Sequence, residues 1–313
     1  MPLDDQIRRR LKVQNLHILI TVVEAGTMGK AAERLNTSPP AISRAIADLE
    51  RTIGVRLLDR HRQGVEPTEY GRALVDSGSA MFDDLHQGLK KIEFLADPTG
   101  GEVRLGGTPP IAAGLISSVI DRLSRRYPKM MFHLAVTDVA TLHRQLSERN
   151  IDFVIDRRLG PFADEQLGFD HLFDDSFFVV AGAQNPWVRR RGIALSELAN
   201  EPWALPARES ALGSLLVEAF RASGLDYPQA TLSTLSVEVR NRLVATGRFL
   251  SVISSSVLRF PAKHPDIKAL SVEFPLLPVP VGIVTLKNRT LNPVARLFID
   301  TAREFAKPLG KRK

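Results

Sequence analysis

The sequence predicts an α+β chain of several domains: an N-terminal winged helix-turn-helix, a long linker helix, and two α/β subdomains. Three observations predict it. The stretch 30–50, KAAERLNTSPPAISRAIADLE, reads as two short helices joined by a tight turn. An apolar seam at heptad spacing, Val75, Gly78, Phe82, Leu85, Leu89, Ile92 and Ala96, runs through one long helical pattern. Past the break Asp97-Pro98-Thr99-Gly100-Gly101, apolar strand runs alternate with helical patterns in βαβαβ order.

The elements follow in order. Leu16, Leu19, Ile20 and Val23 recur at helical spacing over about 14–25, and Gly26 ends that helix. Thr27 caps a second helix that turns Ala31, Ala32 and Leu35 inward, the two alanines allowing close packing. Ser38 is the N-cap of a third helix, with Pro39 and Pro40 at N1 and N2, where the missing N–H groups cost no intrahelical bond. Ile42, Ala45, Ile46, Leu49 and Ile53 form its buried stripe. Pro40, Ser43, Arg44 and Ala47 are left near its N-terminal end, where a recognition helix meets base edges. After Gly54, VRLLDRHRQGVEPT reads as a hairpin wing with a basic tip, Arg60-His61-Arg62. From Thr68 to about Ala96 runs the long helix, whose seam asks for a second copy of itself or for a partner within its own chain.

Beyond the break, strand Val103–Gly106, helix Ile111–Tyr127, strand Met131–Val136, helix Val139–Arg149 and strand Ile151–Asp156 imply a parallel sheet. A second such set is expected from strands Phe177–Ala181 and Trp203–Leu205, helices Ala211–Ser223 and Val237–Thr246, and strand Leu250–Ile253. Pro280–Leu286 adds a strand, and Asn292-Pro293 opens a last helix. Two α/β subdomains suggest a clamshell with a cleft.

Composition narrows the class. A chain of 313 residues accommodates two or three domains, and its formal charge of +7 favours polyanions without being extreme. With no cysteine, disulfides, thiol nucleophiles and thiolate metal sites are excluded. The N-terminus MPLDDQIRRRLKVQ lacks the apolar core of a signal peptide, and no apolar run reaches the ~18 residues of a membrane span. A cytoplasmic protein without membrane contact is expected. No G-x-S-x-G, P-loop, G-x-G-x-x-G or H-E-x-x-H pattern occurs, so no catalytic residue, metal ligand or cofactor is expected. His133 and His143 read as surface or core histidines.

Ala31-Ala32, Leu35, Ser38, Pro40, Ala41, Ile42, Ser43, Ile46, Leu49-Glu50, Gly54, Leu57, Arg60, Thr68 and Gly71 stand at fixed spacings. In them the chain resembles the LysR-type transcriptional regulators, most strongly over Leu16–Gly71 and in outline from about Asn15 to Leu309. Three positions depart from the family pattern: Pro39 for glutamine, Leu58 for phenylalanine and Pro67 for leucine. The resemblance implies periplasmic-binding-protein-like subdomains holding a small effector, a dimer through the long helix, and commonly a tetramer. It divides the chain into 1–72, a winged helix-turn-helix; 73–98, a linker and dimerisation helix; and 99–313, an effector domain whose chain crosses between subdomains near 157–170 and 265–280.

The expected partners are double-stranded promoter DNA, a small effector such as an organic acid or sugar-derived metabolite, further copies of the chain, and RNA polymerase. The candidate DNA-binding residues are Thr27, Lys30, Ser38, Pro39, Pro40, Ser43, Arg44, Ala47, Arg60 and Arg62. Arg44 suits a guanine or a phosphate, with a solvated pair to Asp48 as the plainer reading. Arg60 and Arg62 suit phosphates.

Candidate effector-binding residues lie where strands give way to helices: Thr108, Pro109, Asp138, Arg157, Arg208, Ser210 and Ser236. Each reads equally well as a helix cap or surface charge; converging arginines would favour a small carboxylate. The competing function is a solute-binding or catalytic α/β protein with an incidental helical N-terminus, which would need an export signal or a catalytic constellation.

Overall fold

The computed structural model describes residues 11–61, 64–162, 164–259 and 266–308. The chain forms two compact units that divide between Leu89 and Lys90.

In the first unit, α1 (Val13–Ala25) ends at Gly26 with φ 70°, and α2 (Met28–Arg34) is capped by Thr27, whose hydroxyl accepts from the Lys30 N–H. Helix α3 (Pro39–Ile53) begins after Ser38. Ser38 occupies the N-cap, but its side chain makes no capping bond; its carbonyl takes the Ala41 and Ile42 N–H groups instead. Pro40 at N2 has no N–H to offer the hydroxyl, and the N3 N–H of Ala41 is given to the Ser38 carbonyl. Leu16, Leu19, Val22, Ala31, Ala32, Ile42, Ile46 and Leu49 share one core.

Strands β1 (Leu58–His61) and β2 (Gly64–Pro67) pair antiparallel as the wing. Backbone bonds hold its base. The Glu50 carboxylate accepts from the Leu57 and Leu58 N–H groups, and the Val65 N–H donates to the Gly26 carbonyl. Thr68 caps α4 (Glu69–Ala96) by accepting from the Gly71 N–H, and a Cβ at Gly71 would collide with the Leu57 carbonyl oxygen. Leu58 is buried at the position of the expected phenylalanine.

The seam on α4 is two things. Gly78 is pressed under Leu16, Phe82 packs edge-on to His17, and Val75 lies against the same core, so the early positions are filled by their own chain. Leu85, Leu89, Ile92 and Leu95 are 51–71% exposed.

The second unit has two lobes. The first contains β3 (Gly100–Gly107), a helical segment α5 over 109–126 with a π-helical turn at Ala112–Ile116, β4 (Lys129–Val136), α6 (Val139–Ser147) and β5 (Phe153–Arg157). β4, β3 and β5 are parallel. Phe153 and Ile155 join the core under α5, while Val154 faces Leu142 and Leu146 of α6. Next comes β6 (Leu167–Asp175), absent from the sequence expectations, then β7 (Phe177–Gly182) in the second lobe.

The first crossing is therefore at Ser176 rather than within 157–170. The reason is that 167–175 has a partner strand, β12 (Val279–Leu286), that arrives from the far end of the chain. β12 inserts antiparallel between β5 and β6, and α10 (Pro293–Ala306) closes the lobe.

The second lobe is not a repeat of the parallel set. It adds β8 (Ala204–Leu205), α7 (Ala211–Ala222), β9 (Leu232–Ser233), α8 (Val237–Ala245), β10 (Leu250–Ser254), α9 (Ser255–Arg259) and β11 (Ile267–Ala269). β7 lies between β10 and β11 and is antiparallel to both, while β8 and β9 pair in parallel. Trp203, Phe220 and Tyr227 fill this lobe's core, with the Trp203 indole N–H donating to the Leu198 carbonyl.

Candidate nucleic-acid interface and cleft

The exposed end of α3 carries Ser38, Pro39, Pro40 and Arg44, with Ser43 and Ala47 half-buried among them. Asp48 pairs with Arg51 at 2.9 Å, not with Arg44. Arg44 has no ion partner among the described residues. From the wing, Arg60 Nη1 donates to Ser43 Oγ at 3.3 Å, which joins the wing to the recognition helix. Thr27 is occupied as a cap, and Lys30 is exposed on α2. Arg62 lies outside the described residues. The result is a surface with exposed cationic and small polar groups on a helix N-terminal end, braced by a basic hairpin, as groove entry with phosphate contact requires.

In the two-lobed unit the expected effector residues mostly have structural partners. The Thr108 hydroxyl donates to Asp156 Oδ1 at 2.6 Å. Asp138, Ser210 and Ser236 cap α6, α7 and α8. Arg208 donates to the Tyr227 carbonyl and stacks on that ring. Arg157 forms an ion pair with Asp175 and also donates to Ser254 Oγ and Ser256 Oγ. Pro109 is exposed at the start of α5. Thr108 and Arg157 flank one buried carboxylate, Asp156, whereas Asp138, Ser210 and Ser236 sit at three separate helix starts.

Sequence reasoning missed the groups these residues serve. Asp175 is wholly buried and accepts from Ser255 Oγ, Ser256 Oγ and the Ser256 N–H. Asp156 has one buried oxygen without a partner, and burial raises its pKa against the opposing Thr108 bond. Burial lowers the pKa of Arg240 to about 10, and its Nε is unpartnered. One signal was available: an acid inside the apolar run Phe153-Val154-Ile155-Asp156 must be satisfied or neutral.

A cavity of about 540 Å³ opens beside α6, lined by Val139, His143, Arg144, Arg158, Phe162 and others of the 157–167 segment, with Ala211 of the second lobe. His143 is half-buried edge-on to Phe162, and burial holds its pKa below the usual histidine value. Among the described residues no helix is long and apolar enough to cross a membrane.

Comparison with known proteins agrees over the whole length. Residues 13–72 match the bacterial regulatory helix-turn-helix protein, lysR family, and residues 96–307 match the LysR substrate binding domain. The transcriptional regulator YdcI of Escherichia coli is 25% identical, covering 95% of this chain and 96% of the relative. The regulator GbpR of Azospirillum brasilense is 26% identical over 95% of this chain and 87% of its own. A cysteine-to-aspartate variant of full-length OxyR from Pseudomonas aeruginosa has the same fold, with a TM-score of 0.66 at 21% identity over 97% of this chain and 99% of that one.

Proposed function

The chain belongs to the LysR family of DNA-binding transcriptional regulators, and from that premise we propose which of its surfaces do the work. Residues 1–72 are the reading head, 73–98 the linker through which two copies associate, and 99–313 the domain that answers an effector. Arg44, Ser43 and Pro40 meet base edges, while Arg60, Arg62 and Lys30 meet phosphates. Pro39 offers no side-chain donor where the family pattern has glutamine, so base choice falls to Ser43 and Arg44.

The observation that carries this reading is the Arg60–Ser43 bond, which fixes the wing and the recognition helix as one surface with Arg44 exposed beside it. The exposed leucines of α4 support pairing of two such heads, the arrangement that reads two-fold DNA sites. The chain is read as a cytoplasmic regulator and not as an enzyme. Its effector shifts the spacing of the paired heads by changing how the lobes sit, and so alters the DNA contacts.

Selection of random double-stranded DNA on the full-length protein tests this. Enriched sites should carry two half-sites related by a dyad, with centres about one or more helical turns apart. A pool with no dyad, or binding no tighter than to random DNA, would refute the reading.

A further inference from the structure

The N-terminal end of α3 is short of polar groups. Pro39 and Pro40 occupy N1 and N2, both exposed, and neither has an N–H or a polar side-chain atom. The Ala41 and Ile42 N–H groups are given to the Ser38 carbonyl. A helix start ordinarily offers unpaired N–H groups to a phosphate or a base. This one offers two pyrrolidine rings.

Pro39 stands one turn before Ser43, so the two lie along the same flank of the helix. The wing borders that flank: Ser43 accepts from Arg60, and Glu50, further along it, accepts from the Leu57 and Leu58 N–H groups. The Pro39 ring has a fixed φ and no side-chain freedom to lose, so its place relative to Ser43 is set before any DNA arrives.

In the major groove every base pair presents hydrogen-bonding groups, and thymine alone adds an apolar one, its C5 methyl. A proline ring set against the amino group of adenine or cytosine displaces water and returns no hydrogen bond. Set against the methyl, both surfaces leave water and no hydrogen bond is lost. Resting on the regulator reading above, we propose that Pro39 determines specificity by holding the C5 methyl of one thymine in each half-site. Four residues of helix rise about 6 Å, against about 3.4 Å for each base pair, so this thymine lies within about two base pairs of the position met by Ser43. Hydrogen-bonded choice stays with Ser43 and Arg44. Pro39 adds an apolar choice beside them and rejects purely polar base edges at its own position.

The test is deletion of methyl groups from the DNA. Sites selected on the full-length protein are remade with each thymine of the half-site replaced in turn by deoxyuridine, which pairs alike and lacks only the methyl. At one position the replacement should weaken binding about four-fold, the worth of one buried methyl-sized group. At that position 5-methylcytosine should bind more tightly than cytosine by a like factor, because it restores the methyl at the same edge of the groove. In Pro39→Gln, with its helix verified by circular dichroism, thymine and uracil should bind alike there.

Thymine and uracil bound equally by the wild type at every position overturn the proposal, whatever any variant does. So does a selected half-site that holds no thymine, a methyl effect that Pro39→Gln leaves unchanged, or one that Pro40→Ala abolishes while Pro39→Gln does not. The wild-type affinities keep the two readings apart. A selected dyad site bound tightly but indifferent to its methyl groups refutes only the role of Pro39, whereas failure to select any site refutes the regulator reading itself.

Discussion

Arg157 holds Asp175 with Nη2 2.7 Å from Oδ2, both side chains almost wholly buried, where the chain leaves the first lobe for the second. Three serines in a row, Ser254, Ser255 and Ser256, complete the bonds of the pair. An arginine at a strand end, which from sequence suits a ligand, is here the counter-ion of the crossing.

Arg157→Gln should therefore destabilise the two-lobed unit by about 3–5 kcal/mol, because it leaves a buried carboxylate without its cation. Urea unfolding followed by tryptophan fluorescence reads this unit, since both tryptophans, Trp187 and Trp203, lie in it. Adding Asp175→Asn should recover part of the loss. A transition unmoved by Arg157→Gln would contradict the assignment.

Asp156 sets a pH dependence. Its folded pKa is raised above the unfolded value of 3.8 because burial disfavours the charge. Between those two values the native state holds more protons than the unfolded one, so this group's contribution is fully present below the unfolded pKa and is lost as pH rises through the folded one. Asp156→Asn stays neutral and keeps an oxygen for the Thr108 hydroxyl. Its stability should exceed that of wild type increasingly as pH rises above the unfolded value of 3.8, the difference levelling off once pH passes the raised folded value. Parallel stability curves for the two proteins would show that Asp156 does not titrate in this way.

Arg44 and Arg60 should fail differently. Arg44→Ala should cost about 1–3 kcal/mol on the selected site and relax preference at one position, with the melting temperature unchanged. Arg60→Ala should lower the salt slope by about one and weaken every DNA sequence, and by releasing Ser43 Oγ it should also blunt the preference read by Ser43. Anisotropy titrations at several salt concentrations distinguish them, and an Arg44 variant with wild-type affinity would remove that residue from the interface.

Leu85 and Leu89 should hold the second copy. Leu85→Glu with Leu89→Glu places charges on the exposed stripe, away from the positions filled by Leu16 and His17. Light scattering should then give a smaller assembly with the helical content of the first unit intact. An unchanged mass would place the interface elsewhere.

The reading head was legible because its signals are local. A capping threonine, paired prolines at a helix start and an apolar stripe each act within a few residues, and the structure returns helices at Met28–Arg34 and Pro39–Ile53. The α4 seam was legible only as periodicity: spacing shows that Gly78 and Leu85 lie on related faces, but not that Leu16 covers one and leaves the other open. In the second unit, strand Leu167–Asp175 reads poorly because its charged and half-buried residues break alternation, and its partner Val279–Leu286 is more than a hundred residues away.

Sequence by itself determined the winged head, the long helix, the βαβαβ start of the second unit and the family, because caps, turn residues and hydrophobic periods are short-range physics. Tertiary structure alone decided which polar groups are already bonded. Thr108 and Arg157 were candidates for a ligand until Asp156 and Asp175 came beside them, 48 and 18 residues along the chain. The same long-range packing sets Arg144 and Arg158 at a cavity wall, with no carboxylate paired to either among the described residues. A side chain's capacity to bond is a property of its type, but whether that capacity is already spent depends on which distant residues the fold brings within about 3 Å.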